Sequence, residues 1–280
     1  MAEGTNKKMK ISVHIPLFIY SNKKNQQKNF FKACNSFLKL SNKTDLFVHT
    51  NKKVNFKKKR INFIYHKFRK DHPFKLTWYC RKLMEKQKEK YDIFIYSEDD
   101  ILFTKKNLNY WLKYKDNCLK NNYNLGFLRV EKNKKNKKLY STDQISKSSN
   151  YVILSNVKYL VPKNPYCGFW IYDKKEFNKF IKTKWWKFKW SLRSKSGILH
   201  IREMSSLGWH GTDINGEDMD RYIATIIPLN GKRFDKNSFL SHLSNNYVNS
   251  PKGLFGTIEV SDLVNNKLEK FKPKTSFEKF

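Results

Sequence analysis

Short apolar runs and helix-spaced apolar residues alternate through the first half of the chain. Runs of strand length fall within residues 10–20, 45–50, 60–68 and 125–130, with a further run at 93–95. Between them, apolar residues recur three and four positions apart, the spacing that gathers them on one helix face. Residues 29–40 carry Phe30, Phe31, Cys34, Phe37 and Leu38 in that pattern. Pro73 opens a second helix to about residue 90, with Leu76, Tyr79, Cys80, Leu83 and Met84 on one side and Lys, Glu and Gln on the other. A third helix is expected over residues 107–121. Alternating strands and helices predict an α/β fold around a largely parallel sheet. In such sheets ligands bind at the carboxyl ends of strands.

The second half is less regular. Residues 131–149 are polar and basic and predict a loop. Residues 166–172 (YCGFWIY) predict a strand entered through Gly168, followed by a helix over 173–182. An aromatic-basic patch occupies 183–190, a helix begins near Glu217, a turn is expected at 240–247, and a tail follows Pro251. No repeat and no linker interrupts the chain, which predicts one domain over residues 1–280.

Composition narrows the class. Aromatics reach 16% of the 280 residues, too many for a disordered chain. Lys and Arg number 58 against 24 Asp and Glu, a formal charge of +34 that favours anionic partners. The excess is spread along the whole chain, so a lysine-rich composition explains it as well as a nucleic-acid site does. Cys34, Cys80, Cys118 and Cys167 form no CxxC pair, which argues against a zinc module and leaves reduced, buried thiols as the expectation. No apolar run approaches the ~18–20 residues of a membrane span. With no signal-peptide pattern near residues 1–20 either, a cytoplasmic protein is expected.

The stretch YDIFIYSEDDILF, residues 91–103, holds the densest chemistry. Glu98, Asp99 and Asp100 stand between two apolar runs. Carboxylates placed there are costly to bury unless a positive group neutralises them. Two readings fit: solvated acids in a loop after a strand, or a site for a hard cation such as Mg²⁺ or Mn²⁺ that also holds a phosphate.

Taken in order, the motifs resemble the GT-A fold glycosyltransferases, the nucleotide-sugar-dependent class. KISVHIPLFIYSN gives a first strand and polar loop, YSEDD a DXD-like acid cluster, and NPYCGFWIYDKKEF a glycine-containing strand on the acceptor side. NGEDMDRY supplies an acidic pair at a helix start, and LSHLSNNY a late histidine. The likeness covers about residues 10–247. It implies a Rossmann-type three-layer α/β/α sandwich, with a nucleotide-sugar half at about 10–130, an acceptor half at about 150–250 and a tail at 251–280.

The same likeness implies the chemistry. Asp100, Glu98 and His242 would hold Mn²⁺ or Mg²⁺, and Glu98, Asp99 and Gly168 would contact the donor. Glu stands at the first position of the acid motif, where the family has Asp. Asp218, with Glu217 beside it, would deprotonate the acceptor hydroxyl, which implies inversion at the anomeric carbon. The partners implied are a UDP- or GDP-linked sugar and a glycan or lipid-linked acceptor, with peripheral contact to an acidic membrane surface. Each residue also has a plainer reading: a hydrogen-bonded turn histidine at His242 and ordinary helix N-terminal acids at Glu217 and Asp218. Trp185, Trp186 and Trp190 read as core residues ahead of sugar-stacking or membrane-inserting ones. Arg81 reads as a solvated or structural residue ahead of a diphosphate contact, and His210 with Asp213, among three nearby glycines, reads equally as an acceptor-binding loop or a surface loop. A basic nucleic-acid-binding protein and a nucleotidyltransferase on a related sheet remain the alternatives. The first leaves the acids without a role, and the second lacks a glycine-rich loop after the first strand.

Overall fold

A computed structural model describes residues 9–19, 24–54, 58–67, 76–183, 186, 208, 222–249, 253 and 255–272. In chain order the elements begin β1 (Ile11–Leu17), α1 (Lys24–Leu38), β2 (Thr44–Thr50), β3 (Ile61–Tyr65), α2 (Leu76–Lys86), β4 (Ile93–Ser97) and β5 (Ile101–Leu102). Then come α3 (Lys105–Lys120), β6 (Asn124–Leu125), β7 (Leu128–Lys132), β8 (Leu139–Ser141), β9 (Ser148–Leu154), β10 (Val157–Leu160) and β11 (Phe169–Asp173). The rest are α4 (Lys174–Phe180), β12 (Thr225–Asn230), β13 (Arg233–Phe234), β14 (Phe239–His242), β15 (Ile258–Glu259) and β16 (Val264–Lys270). They form two compact units, one of Met1–Asp99 with Cys167–Met219, the other of Asp100–Tyr166 with Asp220–Phe280.

The first unit is the expected α/β sandwich. Its sheet runs β11-β4-β1-β2-β3, parallel except for β11, which pairs antiparallel with β4 at the edge. Register assigns the helices to faces. Ile15, Val48 and Phe63 lie side by side across three strands, and Phe30 of α1 meets Phe63 on that face. Ser12 and Phe94 point the other way; Gln87, just past α2, bonds Ser12, and Phe177 of α4 stacks on Phe94 at 4.0 Å. Three layers result. In α1 the buried residues Phe30, Ala33, Cys34 and Phe37 follow helical spacing. Asp173 caps α4 by accepting from the Glu176 N–H at 2.9 Å.

Trp186 packs as core, edge-on to Phe177 and Phe180, and donates from Nε1 to Glu85 at 3.1 Å. Arg81 is buried over the Trp78 and Trp186 rings and donates to the Trp186 carbonyl, a structural role. Trp185, Trp190, His210 and Asp213 lie outside the described residues.

The second unit holds two sheets, β15-β8-β7-β14-β5 and β13-β12-β10-β9-β16, with β6 added beside β12. Leu128 and Val130 from one sheet pack with Leu160, Ile227, Leu229, Phe234 and Val264 from the other. Gly126 donates its N–H to the Ile226 carbonyl, and a Cβ there would stand 2.4 Å from Thr225 Cγ2. One expectation is corrected here. The span 131–149 is not all loop, because β8 pairs antiparallel with β7 and Ser148, the first residue of β9, pairs with Val264 of β16. Its lysines occupy solvent-facing positions and hide the alternation. The tail contributes β16, which runs parallel to β9. Among the described residues, no helix is long and apolar enough to cross a membrane.

Candidate functional site

In the second unit β14 lies between β5 and β7, and this arrangement builds a cluster around its last residue. His242 pairs with Ile101 on one side, while Ser241 pairs with Val130 on the other. The residue before Ile101 is Asp100, and the residue after Val130 is Glu131. Register thus sets Glu131 beside His242, while Asp100, at the turn that leads into β5, reaches the other side of the imidazole. His242 Nε2 stands 3.0 Å from Asp100 Oδ2, and Nδ1 stands 2.5 Å from Glu131 Oε1. Asn107 fixes the entry to β14, donating to the Asn237 carbonyl at 2.7 Å and to that of Phe239 at 2.8 Å.

Glu131 is 2% exposed, an unusual place for a carboxylate. It accepts backbone N–H groups from Asn246 at 3.0 Å, Tyr247 at 3.0 Å and Val248 at 2.7 Å. The turn that presents them begins at Asn245, whose φ of 49° is left-handed. Gly256, at φ 74°, presses on this turn so closely that a Cβ would meet Tyr247 and Val248 backbone atoms at 3.1 Å. Asp100 accepts from the Ser244 hydroxyl, and its carbonyl accepts the Leu243 N–H at 2.8 Å.

Arg129, two residues before Glu131, donates to Thr142 Oγ1 at 2.8 Å and to Asp143 through Nη2 at 2.7 Å. The Tyr166 and Tyr247 rings lie 4.4 and 5.1 Å from its guanidinium carbon.

Burial alone would push the His242 imidazole down, but hydrogen bonds to Asp100 and Glu131 outweigh it and raise its pKa to about 9. Burial likewise opposes ionisation of Asp100, yet His242 and Ser244 hold its carboxyl below the usual range. Glu131 is also lowered against its burial, by His242 and the Val248 and Tyr247 amides. The resting state is an imidazolium between two carboxylates.

When that imidazolium releases the Nε2 proton, a second chemistry opens. The Nδ1–H bond to Glu131 keeps the ring oriented, as outer carboxylates do for metal-bound histidines. The Nε2 lone pair and Asp100 Oδ2 then stand side by side as two acceptors. Their 3.0 Å separation equals the edge of an octahedron with metal–ligand bonds of about 2.1 Å. By that distance the pair would span two neighbouring positions around Mg²⁺ or Mn²⁺. No group of three or more His, Cys, Asp or Glu gathers in metal-holding geometry among the described residues. A cation here would complete its shell from water or phosphate oxygens.

The other expected residues fall as follows. Glu98 and Asp99 sit in the first unit at the carboxyl end of β4, beside the point where the strand order reverses between β1 and β4. Asp99 accepts from Gln26 Nε2 at 3.0 Å. Gly168 directly precedes Phe169, which pairs with Ser97, so it neighbours the start of the acid cluster. Glu217 and Asp218 lie outside the described residues. Glu131 was missed by sequence reasoning; only its place beside Val130, in a strand that also carries Arg129 and Lys132, hinted at burial.

No protein-family model and no curated protein matches the chain. Among solved structures it is similar to a crystal structure of S. aureus TarS 1-349, at 14% identity and a TM-score of 0.34, covering 61% of this chain and 50% of that one. A second crystal structure of S. aureus TarS aligns at 13% identity and a TM-score of 0.34, covering 61% of this chain and 29% of that one. The chain thus spans half or less of the proteins it aligns with, and likeness at this level carries no function across.

Proposed function

We propose that the chain is a metal-dependent glycosyltransferase that moves a sugar from a nucleoside-diphosphate donor to a glycan or lipid-linked acceptor. The observation that carries this reading is the 3.0 Å approach of Asp100 Oδ2 to His242 Nε2, with Glu131 holding the other ring nitrogen. Asp100 and His242 would hold Mn²⁺ or Mg²⁺, with Glu98 as a further candidate ligand. When bound, the cation would offset the charge that builds on the departing diphosphate. Asp99 and Gly168, near the carboxyl end of β4, are proposed donor contacts. Asp218 is the proposed base that takes the acceptor hydroxyl proton, with Glu217 beside it, which implies inversion.

Thermal unfolding with UDP and GDP, with and without Mn²⁺, tests the reading. Stabilisation by one nucleotide should require the metal, and Asp100→Ala should abolish the metal effect. Equal stabilisation by every nucleotide, indifferent to Asp100→Ala and erased by salt, would instead mark nonspecific attraction to a basic surface.

A further inference from the structure

The first unit buries a chain of imidazoles that the proposed transfer does not use. Gln87 Oε1 accepts from Ser12 Oγ at 3.1 Å and from His14 Nε2 at 3.0 Å. His14 Nε2 also lies 3.0 Å from Ser12 Oγ. His14 Nδ1 lies 3.0 Å from His49 Nε2, and His49 Nδ1 lies 2.9 Å from His66 Nε2. The His49 and His66 rings are tilted by 9° with centroids 5.1 Å apart. With a nitrogen–nitrogen contact of 2.9 Å, they meet edge to edge in nearly one plane. The result is a hydrogen-bonded ribbon across β1 and β2 that ends just beyond β3.

The polarity of this ribbon follows from its buried end. An amide oxygen only accepts, so the His14 proton sits on Nε2 and its Nδ1 must accept. His49 then donates from Nε2, and so does His66. Three neutral imidazoles carry three ring protons, and the ribbon uses all three. Burial depresses His14 to about 3 and His49 to about 2, so both are neutral at physiological pH.

His66 Nδ1 is left as an acceptor, and no described residue donates to it. The residue is half-buried at the carboxyl edge of the sheet, its N–H anchored to the Thr50 carbonyl at 2.8 Å. Tyr79 of α2 stacks on the imidazole at 4.6 Å and 10°. The opposite orientation of the Gln87 amide would reverse every donor and present an N–H at this point instead.

We propose that the Gln87–His14–His49–His66 ribbon fixes His66 Nδ1 as a hydrogen-bond acceptor at the carboxyl edge, and that this edge takes a neutral ligand group bearing N–H or O–H. Gln87 is a positioning residue, acting through three rings. The site rejects anionic oxygens, which offer only lone pairs to a lone pair. It rests on the ribbon alone, so it stands or falls separately from the cation pair in the second unit.

Nitrogen-15 NMR of the histidine side chains in the whole protein reads the tautomers. His14, His49 and His66 should each be protonated at Nε2 and bare at Nδ1 near neutral pH; a protonated His66 Nδ1 overturns the proposal. Succinimide, which carries one N–H, should shift the His66 resonances, and N-methylsuccinimide should bind about five-fold more weakly, the worth of one net hydrogen bond. Equal binding of the two, or binding of neither at millimolar concentration, overturns the ligand assignment. Gln87→Met should leave a mixture of tautomers at His66 and abolish the preference for succinimide. If that variant fails to fold, the native tautomers and the probe pair still decide.

Discussion

Replacing Glu131 with Gln isolates the buried carboxylate. In the native protein its two oxygens receive three backbone N–H groups and the His242 ring, all within 3.3 Å. An amide keeps the shape but turns one oxygen into an NH₂ group that faces N–H donors. At least one buried donor loses its acceptor, at about 1–3 kcal/mol, and the charge-assisted bond to His242 goes, at about 1.5–3 kcal/mol. The combined loss of about 3–5 kcal/mol matches the usual cost of breaking a buried ion pair. For a chain of this size, Tm should fall by about 10 °C. Thermal and urea unfolding measure it. Combining Glu131→Gln with His242→Phe should cost about 1–3 kcal/mol less than the sum of the two single changes, because they break one shared bond. A fall of less than about 2 °C, or strict additivity, would refute the role given to Glu131.

Stability should peak near pH 7 and decline on both sides. His14 and His49 are depressed when folded, so the unfolded chain gains two protons below about 6.5, and stability should drop by up to ~2.7 kcal/mol per pH unit toward acid. His242 is raised to about 9, so its contribution is complete below about 6.5 and disappears as pH climbs through 9, at up to ~1.4 kcal/mol per unit. Urea midpoints at closely spaced pH values check both slopes, and a profile flat from pH 5 to pH 9 contradicts them. Gly126→Ala should cost about 1–3 kcal/mol, because the new Cβ meets Thr225 Cγ2 at 2.4 Å and Thr225 is itself buried. Adding Thr225→Ser, which removes that methyl, should recover much of the loss; an unchanged urea midpoint in Gly126→Ala argues against the close approach.

The α/β character of the first unit was legible because its helices show their periods openly. Phe30, Cys34 and Phe37 announce α1, and the apolar run at 93–95 announces β4. The acid cluster stood out for the same reason, as charge interrupting two apolar runs. What stayed hidden depends on partners far away in sequence. Ser12 and His14 look like lapses in a hydrophobic strand until Gln87 and His49 close around them. Glu131 resembles the first charge of a basic loop, and only the pairing of β14 with β5 and β7 turns it toward His242. Asp100 and His242 are 142 positions apart, so sequence order could suggest but not place their meeting. β16 was obscured by its lysines and asparagines, which face away from the core that Val264 enters.

Isothermal titration of Mn²⁺ into the UDP-saturated protein bears most directly on the cation pair. One site per chain should appear, and both Asp100→Asn and His242→Ala should weaken it by at least about ten-fold. Mn²⁺ affinity that is the same in both variants as in the native chain would contradict the account.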